Sequence, residues 1–292
     1  MSNDASRSGT VGPLCPVGRC RRPLTRIRGG LVCARAHSFD VARSGYVNLL
    51  LPQNRRSRNP GDAPATVAAR LQIEARGYET PLRDAITDFL TADSGDAVLD
   101  VGCGDGHHLA TIVARFGCEG HGLDISVAAI EDAARQHPGL HWIMANADWL
   151  LPYADASFRL LGSITAQRDP GEFRRVLRDD GSFLLVIPAV DDLIEIRELI
   201  LGQGLHRDRV EKVIDAFSPI FALKRHERIR SAAHLDAATV HDVMASSYRA
   251  GRASRQARLA AVSELDVTLS RDALLFQPAR PAGEPRRRKS HE

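Results

Sequence analysis

Apolar residues along this chain fall into two regimes. From Ala97 onward, short and nearly unbroken apolar runs alternate with stretches whose apolar positions recur at helical spacing. The runs "AVLDVG", "EGHGLDI", "HWIMA", "FRLLGSI" and "GSFLLVIP" read as buried strands. Between them "HHLATIVARF", "SVAAIEDAARQH" and "PGEFRRVL" read as helices, the second capped by Ser126. Such alternation predicts an α/β fold with a doubly wound, mostly parallel sheet, because parallel neighbours need a crossover connection between them. The closing stretch "SELDVTLSRDALLFQP" predicts one or two strands, the last antiparallel. Upstream, "ATVAARLQIEARGY" and "PLRDAITDFL" carry helical spacing, and the polar "PQNRRSRNPGDAP" separates them from what precedes.

The first regime is different. Residues 13–50 hold too little apolar surface to form a core of their own, so a compact fold there requires a staple. The chain accordingly divides into a disordered start (1–12), a small module (13–50), a linker with helices (51–92), the α/β domain (93–277) and a disordered basic tail (278–292) ending in "PRRRKSHE".

Composition narrows the class. Of 292 residues, 43% are hydrophobic, enough for a buried core. Runs such as "FLLVIPAV" fall well short of the roughly 20 apolar residues that span a bilayer. The start "MSNDASRSGT" lacks an apolar signal core, so the expected location is the cytoplasm, away from membranes. Five cysteines in a reducing compartment are available for metals or chemistry rather than disulfides, and Cys103 and Cys118 read as small buried apolar residues. Net charge is only +3, yet Arg7, Arg19, Arg21, Arg22, Arg26, Arg28, Arg35, Arg43, Arg55, Arg56 and Arg58 face only Asp4 and Asp40 within the first 60 residues. That asymmetry suits a polyanionic partner, and arginine suits bidentate phosphate contact.

Chemistry enters at "LDVGCGDG", residues 99–106, where the first strand becomes a helix. Gly102, Gly104 and Gly106 allow a sharp turn and close backbone approach to a ligand, and Asp100 stands at the strand end. About 20 residues on, "GLDIS" places Asp124 at the end of the second strand, where a carboxylate accepts ribose hydroxyls. Asp100 and Asp105 make the loop acidic, which disfavours a pyrophosphate and favours an ammonium or sulfonium; S-adenosylmethionine has that charge. After the third strand, "MANADWLLP" offers Asn146 or Asp148 for an adenine amino group, with the choice open.

The N-terminal module carries Cys15-x4-Cys20-x12-Cys33-x3-His37. Three thiolates and an imidazole make a closed tetrahedral set for structural zinc, although the first gap is wider than the common two residues.

Taken together, the knuckle, "FDVARSGYVNLL" (39–50), "RSRNPGD" ending at Asp62, "GYETPLRD" (77–84), "LDVGCGDGHHLA" (99–110), "GLDIS" (122–126) and "FRRVLRDDGSFLLVIP" (173–188) resemble the 23S ribosomal RNA guanine-N1 methyltransferases. The resemblance covers roughly residues 13–277 and includes the tylosin-resistance branch of antibiotic-producing actinomycetes. It implies a Rossmann-like class I methyltransferase with a seven-stranded sheet, 23S rRNA as substrate, a homodimer, and protection from macrolide-type antibiotics. By resemblance, Cys15, Cys20, Cys33 and His37 are zinc ligands, and Tyr78 with the loop at Gly104 and Asp105 contacts the cofactor. Asp192 falls where members carry a histidine close to the cofactor. "TAQRDP" replaces the family's Ala-Pro after the fourth strand, so Ala166, Gln167 and Arg168 occupy the place that receives the target base.

The catalytic base stays unassigned, with Asp169 and Asp192 as nearest candidates; Tyr46, Trp149 and Arg168 are candidates for stacking on an unstacked guanine. Two other readings remain open at this point. "TAQRDP" and "MASSYRAG" motivate a small-molecule methyl acceptor, and a catalytically silent binding protein is the third.

Overall fold

The computed structural model of the chain describes residues 10–55, 57, 60–166, 169–201, 208–247 and 262–279. Gln167, Arg168, the second half of "MASSYRAG" and the basic tail beyond Ala279 lie outside them. The N-terminal module contains β1 (Leu24–Ile27), β2 (Gly30–Cys33), β3 (Ser38–Asp40) and the two-residue β4 (Val47–Asn48). Two helices follow, α1 (Pro64–Ala75) and α2 (Thr80–Phe89), each with proline in its first turn, where no amide hydrogen is needed. The expected alternation is then present: β5 (Ala97–Val101), α3 (His107–Phe116), β6 (Glu119–Asp124), α4 (Val127–Gln136), β7 (His141–Met144), β8 (Phe158–Ile164), α5 (Pro170–Val176) and β9 (Leu177–Pro188). Ser126 caps α4 by accepting the Ala129 amide hydrogen, as its position before the apolar run predicts. The chain finishes with α6 (Ile194–Leu201), α7 (Val210–Phe217), β10 (Phe221–Asp236), α8 (Ala237–Ser247) and β11 (Glu264–Pro278).

One mixed sheet organises these elements in the order β10-β11-β9-β8-β5-β6-β7-β4. The strands from β4 to β9 pair in parallel, and β11 runs antiparallel to both β9 and β10. All seven strands of the expected sheet are present. An eighth is added at the far edge, where Val47 and Asn48, next to Ile143 and Met144, extend it from the N-terminal module. Strand order reverses between β8 and β5, and a crevice opens at the carboxyl ends there, the usual ligand position of such sheets.

Alternating side chains give the sheet two buried faces. Val98 joins α2, α3 and α4 on one face through Ile86, Leu109 and Ile130. Leu99 and Val101 join α5 and α7 on the other through Phe173 and Phe217. The connection from β7 to β8, residues 145–157, carries no helix, so that second face is left without one of its covering elements. The zinc-binding module takes that place. Its Cys15, Leu24, Leu31 and Phe39 belong to the same core as Leu151, Tyr153 and Phe158, and the Leu14 amide donates to the Pro152 carbonyl at 2.7 Å. A segment that cannot bury enough apolar surface alone borrows the sheet's.

Candidate active site and metal centre

The glycine loop turns directly after β5. Gly102, Gly104 and Gly106 have φ of 76°, 56° and 81°, in the left-handed region that favours glycine. Gly102 and Cys103 donate their amides to the Leu123 carbonyl at 2.7 and 3.1 Å, clasping the loop to the end of β6. A Cβ on Gly106 would stand 2.3 Å from Trp142 Cη2. Gly106→Ala is therefore expected to cost about 2–4 kcal/mol in denaturant unfolding, from left-handed strain together with an overpacked indole.

Beside this loop lies a cavity of about 570 Å3. Of the residues expected at a cofactor, Tyr78, Asp100, Gly102, Gly104, Asp105 and Asp192 line it. Asp100 is 3% exposed, and its Oδ1 is buried without a hydrogen-bond partner. Burial, with the Asp124 and Asp105 charges, pushes its carboxyl up to about 7. Asp105 goes the other way despite its burial, because His107 donates its amide at 3.2 Å and sets its ring Nδ1 3.1 Å from Asp105 Oδ1. A crowded set of carboxylates with one orphaned oxygen fits a cationic ligand and repels a polyphosphate.

The remaining expected residues do not line the cavity. Gly106 packs its turn against Trp142. Asp124 spends its two oxygens on the amides of Gly104, at 3.0 Å, and Ser126, at 2.7 Å, while burial raises its carboxyl. Asn146 donates to the Asn54 carbonyl and accepts the Asp148 amide, both at 2.9 Å. Ser126 Oγ donates to the Asp62 carbonyl at 2.8 Å, so both ends of the linker are tied to the carboxyl ends of β6 and β7. Those bonds place the linker's flanks where the sequence reading puts the adenosine.

Sequence reasoning missed several cavity residues, among them Glu79, His108, Leu235 and Arg271. Arg271 pairs with Asp192, which also accepts the Ser270 amide at 3.0 Å. Nothing local marks that pair, because 79 positions separate its members. Asp169, the other candidate base, caps α5 by accepting the amides of Gly171 and Glu172. Among the stacking candidates, Trp149 is 60% exposed and Tyr46 packs half-buried against the core.

The four knuckle residues converge. Cys20 Sγ lies 3.8 Å from Cys33 Sγ, and His37 Nδ1 lies 3.3 Å from Cys15 Sγ and 3.5 Å from Cys33 Sγ. With zinc–sulfur and zinc–nitrogen bonds of about 2.3 and 2.0–2.1 Å, the edges of a tetrahedron come to roughly 3.8 and 3.5 Å. The donor set and its spacing thus fit zinc. The wide first gap closes because Gly18 and Arg21 both adopt positive φ, 53° and 44°, while the Cys20 amide returns to the Val17 carbonyl. Ala36, at φ 61°, makes the second turn between Cys33 and His37.

Comparison with known proteins agrees with this geometry. A zinc-ribbon family model described as "RlmA, N-terminal" matches residues 14–58, and a "Methyltransferase domain" model matches residues 98–181. A Streptomyces fradiae protein named 23S rRNA (guanine(748)-N(1))-methyltransferase is 36% identical over 236 residues, covering 79% of this chain and 81% of that protein. A Micromonospora griseorubida protein assigned as a 23S rRNA (guanine-N(1)-)-methyltransferase is 31% identical, covering 86% of this chain and 91% of its own. In fold, the YcgJ protein of Bacillus subtilis superimposes with a TM-score of 0.51 at 16% identity, over 68% of this chain and 98% of that one. A zinc knuckle built into the face of a methyltransferase sheet, in a sequence this similar to such relatives along most of its length, places the chain in the 23S rRNA (guanine-N1)-methyltransferase family.

Proposed function

We propose that this chain transfers a methyl group from S-adenosylmethionine to N1 of a guanine in a 23S rRNA hairpin. The observation that carries the reading is the 36% identity to the Streptomyces fradiae enzyme over four-fifths of both chains, beside the zinc-ribbon match at residues 14–58. When bound, the cofactor supplies an electrophilic methyl on a sulfonium. Guanine N1 would accept that methyl, and its proton would have to pass to a side chain or to water.

What the protein contributes is position and charge. Asp100, with its orphaned oxygen, is the group to hold the cofactor's ammonium, and the glycine loop brings backbone close to its carboxylate end. Tyr78 closes the cavity from α2's side, its hydroxyl donating to the His234 carbonyl at 2.9 Å. Holding an in-line geometry supplies most of the acceleration for such a transfer. Of the two candidate bases, only Asp192 lines the cavity, and Arg271 and the Ser270 amide already occupy it; release of the N1 proton to water is the simpler route.

The zinc module supports RNA contact. Zinc there is structural, held by Cys15, Cys20, Cys33 and His37, and it presents Arg19, Arg22, Arg26, Arg28 and Arg35 exposed around the knuckle. No helix among the described residues is long and apolar enough to cross a membrane. The homodimer and the antibiotic protection rest on the family resemblance alone.

Incubation of the purified chain with labelled cofactor and 23S rRNA fragments, followed by mass-spectrometric mapping, tests the proposal. One N1-methylguanine in a hairpin loop is expected. Labelled product from a metabolite extract, with none from RNA, would transfer the assignment to a small-molecule acceptor.

A further inference from the structure

A second cluster of ligand-type side chains lies away from both sites already described. Glu119 and His121 alternate along β6 and so share a face, the one turned toward the zinc module. His141 opens β7 and sits directly across from His121 in the parallel register. Both Nε2 atoms, of His121 and of His141, stand 3.2 Å from Glu119 Oε1, and all three ligating atoms lie within 4.8 Å of one another.

The Glu119–His121 contact is short enough for charge attraction but misses hydrogen-bond alignment. Glu119 Oε1 and His121 Nε2 are buried and have no hydrogen-bond partner, although they are neighbours, and His121 is only 1% exposed. Leaving such atoms unsatisfied is unfavourable in a buried site. Donor atoms that crowd a common point without aiming at one another are the signature of ligands around a cation. An N···O edge in a tetrahedral site with bonds of 2.0–2.1 Å is about 3.3 Å, close to the spacing observed.

The surroundings are those a ligand set requires. Tyr153, fully buried, places its hydroxyl 3.2 Å from His121 Nδ1, which fixes the ring and leaves Nε2 for the cluster. Glu119 Oε2 accepts the Val11 amide at 3.2 Å, orienting the carboxylate. Phe158 and Tyr153 pack edge-on against the His121 ring at 5.3 and 5.4 Å. His141 is half exposed and stacks on His121 at 4.5 Å; taking up an ion would turn its ring out of that stack to aim its lone pair at the shared point, with water completing the shell.

We propose that Glu119, His121 and His141 form a second site for a divalent ion of the zinc class, with two imidazoles and a carboxylate as ligands. Donors of this kind suit zinc, cobalt and nickel and carry no thiolate. The ion would join the amino-terminal ends of β6 and β7 and, through Glu119, the arm at Val11 that leads into the zinc module.

Metal content of the full chain tests this, after equilibration with zinc and removal of loosely held ion by a weak chelator. Two equivalents are expected for the natural protein and one for His141→Ala, whose half-exposed position leaves the fold intact. Cobalt loading gives an independent readout: one equivalent develops the thiolate charge-transfer band of the knuckle, and the other adds only weak ligand-field absorption that His141→Ala abolishes. A single equivalent in the natural protein overturns the proposal. So does a second equivalent that persists in His141→Ala.

Discussion

Cys33→Ser is expected to unfold the chain as a whole, not merely to loosen its N-terminal module. Structural zinc in a Cys/His set is worth about 10–16 kcal/mol of apparent binding free energy, against a total stability of about 5–15 kcal/mol for a typical domain. Cys33 ends β2, pairs there with Leu24, and accepts the Arg35 amide, so its loss removes a ligand at the centre of the three-stranded sheet. The consequence spreads because the module has no separate core. Leu24, Leu31 and Phe39 share theirs with Leu151, Tyr153 and Phe158, in the place where the β7–β8 connection lacks a helix. Losing the module exposes that face. Zinc content should fall at the knuckle, and the thermal midpoint of the entire protein should fall with it. An early, separate melt of the module that leaves the main transition unchanged would contradict the shared core.

Asp100→Asn should move stability and ligand binding in opposite directions. Burial holds this carboxyl at about 7, against 3.8 for an ordinary aspartate, so the folded state keeps its proton where the unfolded state has lost it. Stability of the ligand-free protein therefore falls as pH rises from about 4 to about 7, by on the order of 4 kcal/mol, and then levels. An amide in the same place has no proton to lose, and the variant should be the more stable protein at neutral pH. Its affinity for S-adenosylmethionine should drop about 10- to 100-fold, since a charge-assisted hydrogen bond contributes roughly 1.5–3 kcal/mol. The pH profile separates this role from a structural one. In the natural protein affinity weakens below about pH 7 as Asp100 takes up its proton, whereas the variant's should be flat. Calorimetric titrations across that range decide it, and a variant with unchanged affinity would remove Asp100 from the cofactor's contacts.

How much was legible before the structure depended on how local each signal was. The helix at "HHLATIVARF" spans His107–Phe116, and Ser126 caps the next, because both depend on residues three or four apart. The knuckle cysteines, the glycine loop and its acidity were equally plain. By contrast β10 was not read at all. Its sixteen residues, Phe221–Asp236, are mostly exposed and rich in charge, and they are a strand because β11 lies beside them. Neither could spacing tell which carboxylates face the cavity. Asp124 and Asn146 stand where the sequence puts them, at the ends of β6 and β7, yet their polar atoms are taken by Gly104, Ser126 and Asn54.

The donors, the turn glycines and the alternation that makes a parallel sheet all follow from residue type and short spacing. The seat of the zinc module on the helix-poor face of that sheet, the meeting of Asp192 with Arg271 and the stacking of His141 on His121 emerge only when the chain is folded. Those pairings join residues far apart in the chain, and what selects them is the burial of apolar surface by the whole domain, which no local pattern encodes.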